Sequence, residues 1–250
     1  MKAIVTGASS GIGRDMSRVL TSLGFTVYGV ARRKDRLEEL RNELGEIFIP
    51  VEMDLSKEEN LYKLFESMQN EDIDIIVNNA GFGIFGAFHK TDLQRELDML
   101  DVNIRSLHIL TKLFSQKFLK QGYGKILNVG SSAGFMAGPL LSSYYASKAY
   151  VLRLSEAVDE EMRRQNKNVT VSVLCPGPVK TEFDEVADVR FSLKGLDSSY
   201  VAEYAIRKMF KGKRVIIPGF TMKLLVFFSR LVPAGLLTKI TYHTQKRKGN

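Results

Sequence analysis

The feature that most constrains the fold is a regular alternation of two kinds of segment along the chain. Short runs rich in β-branched and apolar residues, such as Lys2–Thr6 and Val169–Leu174, are separated by longer amphipathic runs. Runs that are apolar almost throughout are typical of strands with helices on both faces of a sheet. The alternation therefore predicts an α/β fold with one doubly wound parallel sheet of about seven strands and helices on both faces.

Hydrophobic periodicity and turn residues give provisional bounds for these elements. The predicted strands are Lys2–Thr6, Thr26–Ala31, Ile47–Val51, Ile73–Asn78, Lys125–Val129, Val169–Leu174 and Arg214–Ile217. The predicted helices are Gly13–Leu23, Lys34–Leu44, Lys57–Gln69, Leu93–Leu119, Ser143–Gln165 and Ser199–Lys211. Ser56 is the predicted N-cap of the third helix, and Gly24 and Gly45 lie where glycines commonly end helices.

No repeat or linker interrupts the 250 residues, so a single domain spanning residues 1–250 is predicted. Two segments fit the alternation less well. Residues 182–199 are long for a connection and are predicted to form a substrate loop. Residues 221–250 form an apolar and basic C-terminal extension.

Composition limits the kind of site that the chain can build. A single cysteine, Cys175, excludes an internal disulfide, and the three widely separated histidines lack ligand-like spacing, so no metal site is predicted. The chain opens on a strand instead of a secretory signal, which indicates a cytoplasmic protein. The net charge of +8 is compatible with an anionic partner. Because no nucleic-acid-binding motif accompanies that charge, nucleic acid is not a predicted partner.

The turn after the first predicted strand, TGASSGIG, contains Gly7, Gly11 and Gly13 and leads directly into a helix. Helix N-termini attract phosphate because their N–H groups are unpaired. Gly7 would permit the tight turn, Gly11 the close approach of a pyrophosphate, and Gly13 close packing of the helix on the strand. The spacing is G-x-x-x-G-x-G, so a glycine-rich turn without a ligand is the alternative.

Three further motifs follow in order: NNAG at Asn78–Gly81, YYASK at Tyr144–Lys148 and PGPVKT at Pro176–Thr181. With the glycine turn, this set resembles the short-chain dehydrogenase/reductase family over nearly the whole chain up to about Ile217. The resemblance implies a Rossmann-type fold and an NADP-dependent enzyme that interconverts a secondary alcohol and a ketone. It also implies a homodimer or homotetramer.

The resemblance assigns Tyr144 as the catalytic acid or base. Lys148, four residues later on the same helix face, would lower the pKa of Tyr144 and bind the nicotinamide ribose. Ser131 would hydrogen-bond the reacting carbonyl or hydroxyl, with the adjacent Ser132 as the alternative. Asn103 would support the lysine through water.

The resemblance also implies a set of cofactor-binding residues. They are Gly7, Ser9, Ser10, Gly11, Ile12, Gly13, Arg32, Arg33, Asp54, Leu55, Asn79, Ala80, Gly81, Tyr144, Lys148, Pro176, Gly177, Val179 and Thr181. After the second predicted strand the chain has Arg32 and Arg33 where a carboxylate would favour NAD. Guanidinium groups pair strongly with phosphate, so NADP is the predicted cofactor. The alternative is that the two arginines only begin a solvated helix.

Two further predictions concern the substrate and contact with a membrane. A set of apolar residues near the motifs predicts a pocket for a bulky ketone such as a steroid, acyl or lipid-like carbonyl, although core packing would explain the same set. These residues are Phe82, Phe85, Phe88, Phe135 and Met136. The alternative function is a non-catalytic nucleotide sensor of the same fold. The extension is too short and charged to span a membrane. It could instead lie on an anionic membrane surface or cover the pocket or a subunit interface.

Overall fold

The computed structural model describes residues 1–183, 187 and 195–246, and it is built around a seven-stranded sheet in which all neighbours are parallel. The sheet has the order β3-β2-β1-β4-β5-β6-β9, and β7 and β8 pair separately. The strands are β1 (Lys2–Thr6), β2 (Thr26–Ala31), β3 (Phe48–Glu52), β4 (Ile75–Asn78), β5 (Gly124–Val129), β6 (Val169–Leu174), β7 (Val179–Lys180), β8 (Leu196–Asp197) and β9 (Val215–Ile216).

Helices cover both faces of this sheet, which buries the apolar strands between two layers. The α-helices are α1 (Gly11–Ser22), α2 (Lys34–Leu44), α3 (Glu58–Ser67), α4 (Leu93–Leu100), α5 (Leu107–Gln121), α6 (Ser142–Gln165), α7 (Ser198–Phe210), α8 (Phe220–Ser229) and α9 (Ala234–Lys246). Two main clusters of buried side chains form the core, one around Val5 and Val77 and the other around Ile4 and Ile76. Consecutive strand residues therefore face opposite layers, as the nearly continuous apolar runs predict.

The predicted doubly wound sheet is confirmed, and the predicted bounds agree closely with the observed ones. The bounds of β1, β2, β6 and α2 are as predicted. The predicted cap at Ser56 is wrong, because Lys57 holds the N-cap position of α3 and the Ser56 hydroxyl donates instead to Asp54 Oδ1 at 2.9 Å.

The long helix predicted over Leu93–Leu119 is also wrong in one respect. It is divided by a π-helical turn, Asp101–Ser106, between α4 and α5. Periodicity over a long apolar segment does not reveal such a turn, because the turn adds one residue without interrupting the helix.

The order of the strands places one crevice at the carboxyl ends of β1 and β4. The chain runs outward from β1 through β2 to β3, and then returns to add β4 on the other side of β1. In open α/β sheets ligands bind where the strand order reverses in this way. The glycine turn follows β1 and the NNAG motif ends β4, so both lie at this crevice.

The last three helices of the described chain, α7 to α9, lie beside this crevice. Helix α7 packs against α1. The extension forms two helices, α8 and α9, with Pro233 between them. Proline has no backbone N–H to donate within a helix, which explains why one apolar segment forms two short helices. Of the helices in the described residues, none is both long and apolar enough to cross a membrane.

Candidate active site

The glycine turn is shaped by two residues with positive φ angles and by two close approaches that leave no room for a side chain. Gly7 and Gly11 have φ angles of +67° and +52°, a region that residues with a side chain rarely adopt. A Cβ on Gly13 would lie 2.4 Å from the Gly7 carbonyl oxygen, and one on Gly11 would lie 2.9 Å from Thr181 Cγ2. Glycine at these positions thus lets α1 begin directly against the end of β1.

Asn79 holds this turn from the neighbouring strand. Its side-chain amide donates to the carbonyl oxygens of Thr6 at 3.0 Å and Gly7 at 3.3 Å, and its backbone N–H donates to Thr6 Oγ1 at 2.9 Å. Asn79, a predicted cofactor-binding residue, therefore also fixes the position of the glycine turn relative to β4.

Tyr144, Lys148 and Ser131 come together at the carboxyl end of β5. Tyr144 and Lys148 lie one turn apart on α6, and Lys148 Nζ is 5.8 Å from the centroid of the Tyr144 ring. Lys148 is only 5% exposed and donates to the carbonyl oxygen of Val129 at 2.8 Å. Ser131 hydrogen-bonds Tyr144, and its Oγ accepts from the N–H of Ala133 at 3.1 Å. The contact with Tyr144 is thus made by Ser131, the serine that the sequence spacing favours.

Burial acts on the two ionisable side chains in opposite directions. It raises the pKa of the Tyr144 phenol, because a phenolate is disfavoured away from water, and the hydrogen bond to Ser131 partly offsets this effect. Burial lowers the pKa of the Lys148 ammonium to about 8 for the same reason. Burial is thus the largest influence on the pKa of Tyr144 in this structure, and the lowering of that pKa by Lys148 stays a prediction.

Asn103 lies within the π-helical turn and braces the loop after β4. Its Oδ1 accepts from the N–H of Phe82 at 3.0 Å, and its Nδ2 donates to the carbonyl of Phe82 at 2.9 Å and to Ser147 Oγ at 3.2 Å. A Cβ on Gly81 would lie 2.8 Å from Asn103 Oδ1. The side chain of Asn103 is therefore fully engaged in holding the strand end that adjoins Lys148.

A cavity of about 1000 Å³ connects these groups into one site. It runs from the glycine turn and the two arginines, past Ser131, Tyr144 and Lys148, to the inner faces of α8 and α9. Every residue predicted for catalysis or cofactor binding lines it, except Gly13 and Asn103, which lie behind the wall. Among the described residues, no group of three or more His, Cys, Asp or Glu side chains could hold a metal ion.

The far wall of the cavity differs from the sequence prediction. Of the five predicted apolar residues only Phe82 and Met136 line it; Phe88 is 66% exposed, and Phe135 packs beneath Arg230 and in a small core cluster. The C-terminal extension supplies most of the apolar wall instead. Its lining residues are Met222, Leu225, Val226, Phe228, Ser229, Val232, Leu237, Ile240, Thr241, Thr244 and Gln245.

Two of these contacts show how closely the extension fits the site. A Cβ on Gly177 would lie 2.3 Å from Met222 Cε, so the PGPVKT motif accepts α8 directly against its backbone. Gln245, from the last turn of α9, donates to the hydroxyl of Tyr145. Of the predicted substrate loop, residues 184–186 and 188–194 lie outside the described residues, as do residues 247–250 of the extension.

The arginine end of the cavity holds residues that the sequence reasoning missed. Arg33 pairs with Glu182 at 2.8 Å, and Arg36 pairs with the other oxygen of the same carboxylate at 3.3 Å. Arg32 lines the same end of the cavity. Arg36 could have been found from its place in the first turn of α2, three residues after the N-cap Arg33, whereas nothing in the sequence links Glu182 to either arginine.

Comparison with known proteins gives a consistent family. Residues 1–189 match the family model described as short chain dehydrogenase. The chain is 31% identical over 186 residues to a 3-oxoacyl-[acyl-carrier-protein] reductase of Haemophilus influenzae, which covers 74% of this chain and 76% of the relative. It is 30% identical over 236 residues to the farnesol dehydrogenase of Aedes aegypti, which covers 88% of this chain and 94% of the relative.

A solved structure matches a larger share of the chain than the family model does. The short-chain dehydrogenase from Sphingobium yanoikuyae, in complex with NADPH, superposes with a TM-score of 0.82 at 26% identity, over 94% of each chain. Fold, motif positions and sequence matches thus agree. The chain belongs to the short-chain dehydrogenase family and is an oxidoreductase of that family.

Proposed function

We propose that the protein interconverts a secondary alcohol and a ketone with NADP(H), acting on a bulky apolar substrate. The observation that carries this proposal is the meeting of Tyr144, Ser131 and Lys148 in the wall of one cavity with the glycine turn. Tyr144 and Ser131 are the hydroxyl groups available to a substrate oxygen there.

The residues present fit a nicotinamide dinucleotide. The turn at Gly7–Gly13 would receive the pyrophosphate at the N-terminus of α1, where side chains are excluded by close contacts. Lys148 and Asn79–Gly81 would hold the nicotinamide ribose and adenosine sides, and Arg32 and Arg33 the 2′-phosphate. When bound, this group supplies or accepts the hydride.

The protein's own residues would handle the proton. In the reduction direction Tyr144 donates its hydroxyl proton to the substrate oxygen while Ser131 hydrogen-bonds the same oxygen. The raised pKa of Tyr144 keeps the phenol protonated in the free protein, which suits a proton donor. The nearby Lys148 ammonium then stabilises the phenolate that remains.

The substrate class is inferred from the cavity wall. Helices α8 and α9 present mainly aliphatic and aromatic side chains to the site, with Ser229, Thr241, Thr244 and Gln245 as the polar exceptions. Such a wall binds the hydrocarbon part of a substrate, while the two hydroxyl groups fix its oxygen. The similarity to a farnesol dehydrogenase, named for a long apolar alcohol, supports the same class. A steroid, acyl or other lipid-like ketone fits this description.

A non-catalytic nucleotide sensor is the alternative, and turnover separates the two functions. A panel of bulky ketones with NADPH, followed by absorbance of the reduced cofactor, should show consumption that requires both ketone and protein. A sensor would bind the cofactor without consuming it. The complete set of Tyr144, Ser131 and Lys148 favours the enzyme.

Solved structures of this fold hold NAD as well as NADP, so the cofactor choice depends on the arginines of this chain. Loss of one charge-assisted bond to the 2′-phosphate costs about 1.5–3 kcal/mol, or roughly 10- to 150-fold in affinity. NADPH should therefore give a higher kcat/KM than NADH, and Arg33→Ala should remove most of that preference. Equal efficiency with both cofactors in the unmodified enzyme would refute the assignment.

We also propose that the extension contacts an anionic membrane surface. The inner face of residues 220–246 is buried against the site, as Val226 at 3% and Gln245 at 1% exposure show. Their outer face presents Phe220, Phe227 and Leu231 at 74%, 58% and 67% exposure. Residues 204–250 contain eleven Lys or Arg and no Asp or Glu. Exposed apolar side chains among basic residues are typical of helices that lie on anionic lipid.

Vesicle co-sedimentation tests this contact. The protein should sediment with vesicles that contain phosphatidylserine, less so as salt rises, and weakly with phosphatidylcholine alone. The triple variant Phe220→Ser/Phe227→Ser/Leu231→Ser should lose binding. A matched triple of exposed apolar residues elsewhere, Leu23→Ser/Ile47→Ser/Tyr62→Ser, should retain it. Equal vesicle binding by the two triple variants would leave lining of the pocket as the only role of the extension.

A homodimer or homotetramer is the remaining proposal. Leu93 and Leu97 lie four residues apart on α4 and are 69% and 44% exposed. Apolar side chains repeated on one helix face are typical of a surface that a second copy covers. Light scattering coupled to gel filtration measures the resulting mass directly.

A further inference from the structure

The carboxylate of Glu182 lies between two arginines at the end of the cavity that faces α2. Its Oε2 is 2.8 Å from Arg33 Nη1 and its Oε1 is 3.3 Å from Arg36 Nη1. Arg33 also donates to Ser9 Oγ from Nε at 3.3 Å and from Nη2 at 3.2 Å. One carboxylate thus bridges the two guanidinium groups, and one guanidinium bridges that carboxylate to the glycine turn.

The position of Glu182 is fixed by its neighbour in the chain. Thr181 packs against the glycine turn so closely that a Cβ on Gly11 would lie 2.9 Å from Thr181 Cγ2. The next residue therefore projects over the start of α1 towards α2. The Arg33 guanidinium holds the pKa of the Glu182 carboxyl below its usual range, so the group is ionised at neutral pH.

Both arginines contact Glu182 through N–H groups that could bind a phosphate in the same way. Guanidinium groups bind carboxylate and phosphate oxygens through the same N–H donors. The segment that brings Thr181 to Gly11 therefore brings an internal anion to Arg33, which the proposed function assigns to the 2′-phosphate, and to the neighbouring Arg36. An incoming 2′-phosphate has to displace Glu182 or share the arginines with a second negative charge.

We propose that Glu182 is a specificity-determining residue, an internal anion that competes with the 2′-phosphate of NADP for Arg33 and Arg36. This inference rests on the proposed function only in that Arg33 binds the 2′-phosphate. Glu182 weakens NADP binding without affecting a nucleotide that lacks this phosphate, and so narrows the difference in affinity between NADP and NAD.

Titration calorimetry with two small probes tests the competition without any need for turnover. The probe 2′,5′-ADP carries the 2′-phosphate, and 5′-AMP lacks it. Glu182→Gln should bind 2′,5′-ADP about 2- to 10-fold more tightly, the range expected for releasing two partly exposed ion pairs. Its affinity for 5′-AMP should stay within about 2-fold of the unmodified protein. The gain should shrink as salt rises, because salt screens the competing charges.

A matched control removes a carboxylate that also pairs with an arginine of α2. Glu46 pairs with Arg41 at 3.1 Å, at the opposite end of that helix. Glu46→Gln should leave binding of both probes unchanged. No tightening of 2′,5′-ADP in Glu182→Gln, or equal tightening of both probes, would overturn the proposal.

Arg33→Ala separates this inference from the proposed cofactor preference. If Arg33→Ala weakens 2′,5′-ADP binding but Glu182→Gln does not strengthen it, the competition is wrong and the NADP assignment stands. If Arg33→Ala leaves 2′,5′-ADP binding unchanged, the NADP assignment itself fails, and the competition fails with it. In the double variant Arg33→Ala/Glu182→Gln the gain from the glutamate substitution should be smaller than in the single variant.

Discussion

At the scale of single residues, burial shifts the pKa values of an acidic and a basic side chain in opposite directions. Tyr144 and Lys148 share one face of α6, and the same dry surroundings raise the pKa of the phenol and lower that of the ammonium. Both shifts favour the neutral forms. A protonated Tyr144 is the form that a ketone reductase needs at the start of its cycle.

The shift at Lys148 has a consequence for stability that can be measured. Its folded pKa is about 8 against 10.5 for the free side chain, so between these pH values the unfolded chain binds more protons than the folded one. Lys148 therefore favours folding more at pH 10 than at pH 7. The stability of the unmodified protein minus that of Lys148→Met should rise by roughly 2–4 kcal/mol over this interval.

Urea unfolding at the two pH values measures this difference, and replacement of a surface lysine, Lys57→Met, provides the baseline. The change for Lys148→Met is measured against the change for Lys57→Met over the same interval. Equal changes for the two variants would mean that Lys148 keeps an ordinary pKa in the folded protein.

Sequence reasoning reached some of these residues and not others for identifiable reasons. The four-residue spacing of Tyr144 and Lys148 specifies a shared helix face, and the structure has that face. The pairing of Arg33 with Glu182 spans 149 positions, so only the folded chain brings the two together. The direction of the Tyr144 pKa shift was also out of reach, since it depends on how completely the surrounding elements exclude water.

At the scale of elements, the start of α1 is held in place by glycines whose neighbours leave no room for a side chain. Gly13→Ala would place a methyl group 2.4 Å from the Gly7 carbonyl oxygen, which is backbone and cannot rotate away. We expect this change to destabilise the fold by about 1–3 kcal/mol, and to weaken 2′,5′-ADP binding because the turn must shift.

Gly235→Ala is the matched control for this prediction. Gly235 lies in α9, and a Cβ there would meet no atom within 4 Å. Alanine is the better helix former by about 1 kcal/mol, so this variant should be as stable as the parent or more so. Urea unfolding and calorimetry compare the two variants directly. If Gly13→Ala matched Gly235→Ala in both measurements, the close packing of α1 on β1 would not be essential.

The elements were also predicted to different degrees. The regular strands and helices follow from local periodicity, which is why the bounds of β1, β2 and β6 coincide with the prediction. The π-helical turn at Asp101–Ser106 and the pairing of β7 with β8 depend on contacts with distant parts of the chain. For the C-terminal extension, a pocket wall was one of two predicted roles, because an apolar and basic segment suits a pocket wall and a lipid surface equally well. The structure has the segment lining the pocket while its outer face stays exposed.

At the scale of the whole molecule, one cavity joins three separately encoded parts: the glycine turn after β1, the Tyr144 region of α6, and the C-terminal helices. The first two belong to the part that matches the family model, residues 1–189, whereas α8 and α9 follow it. Under the proposed function, the family region would carry the chemistry, and the extension would contribute apolar wall to the substrate pocket. The apolar outer face and the basic charge lie on the same extension, which would place the pocket close to any membrane that it contacts.

The proposed function makes Tyr144 the proton donor of an NADPH-dependent ketone reductase. The most direct test compares the unmodified protein with Tyr144→Phe, using NADPH, the bulky ketone that proves most active in the panel, and absorbance of the cofactor. Turnover should fall by about 10²- to 10⁴-fold in Tyr144→Phe, the range expected for loss of a general acid. Calorimetry should find unchanged affinity for 2′,5′-ADP. A folded Tyr144→Phe variant that keeps most of its turnover would contradict the account.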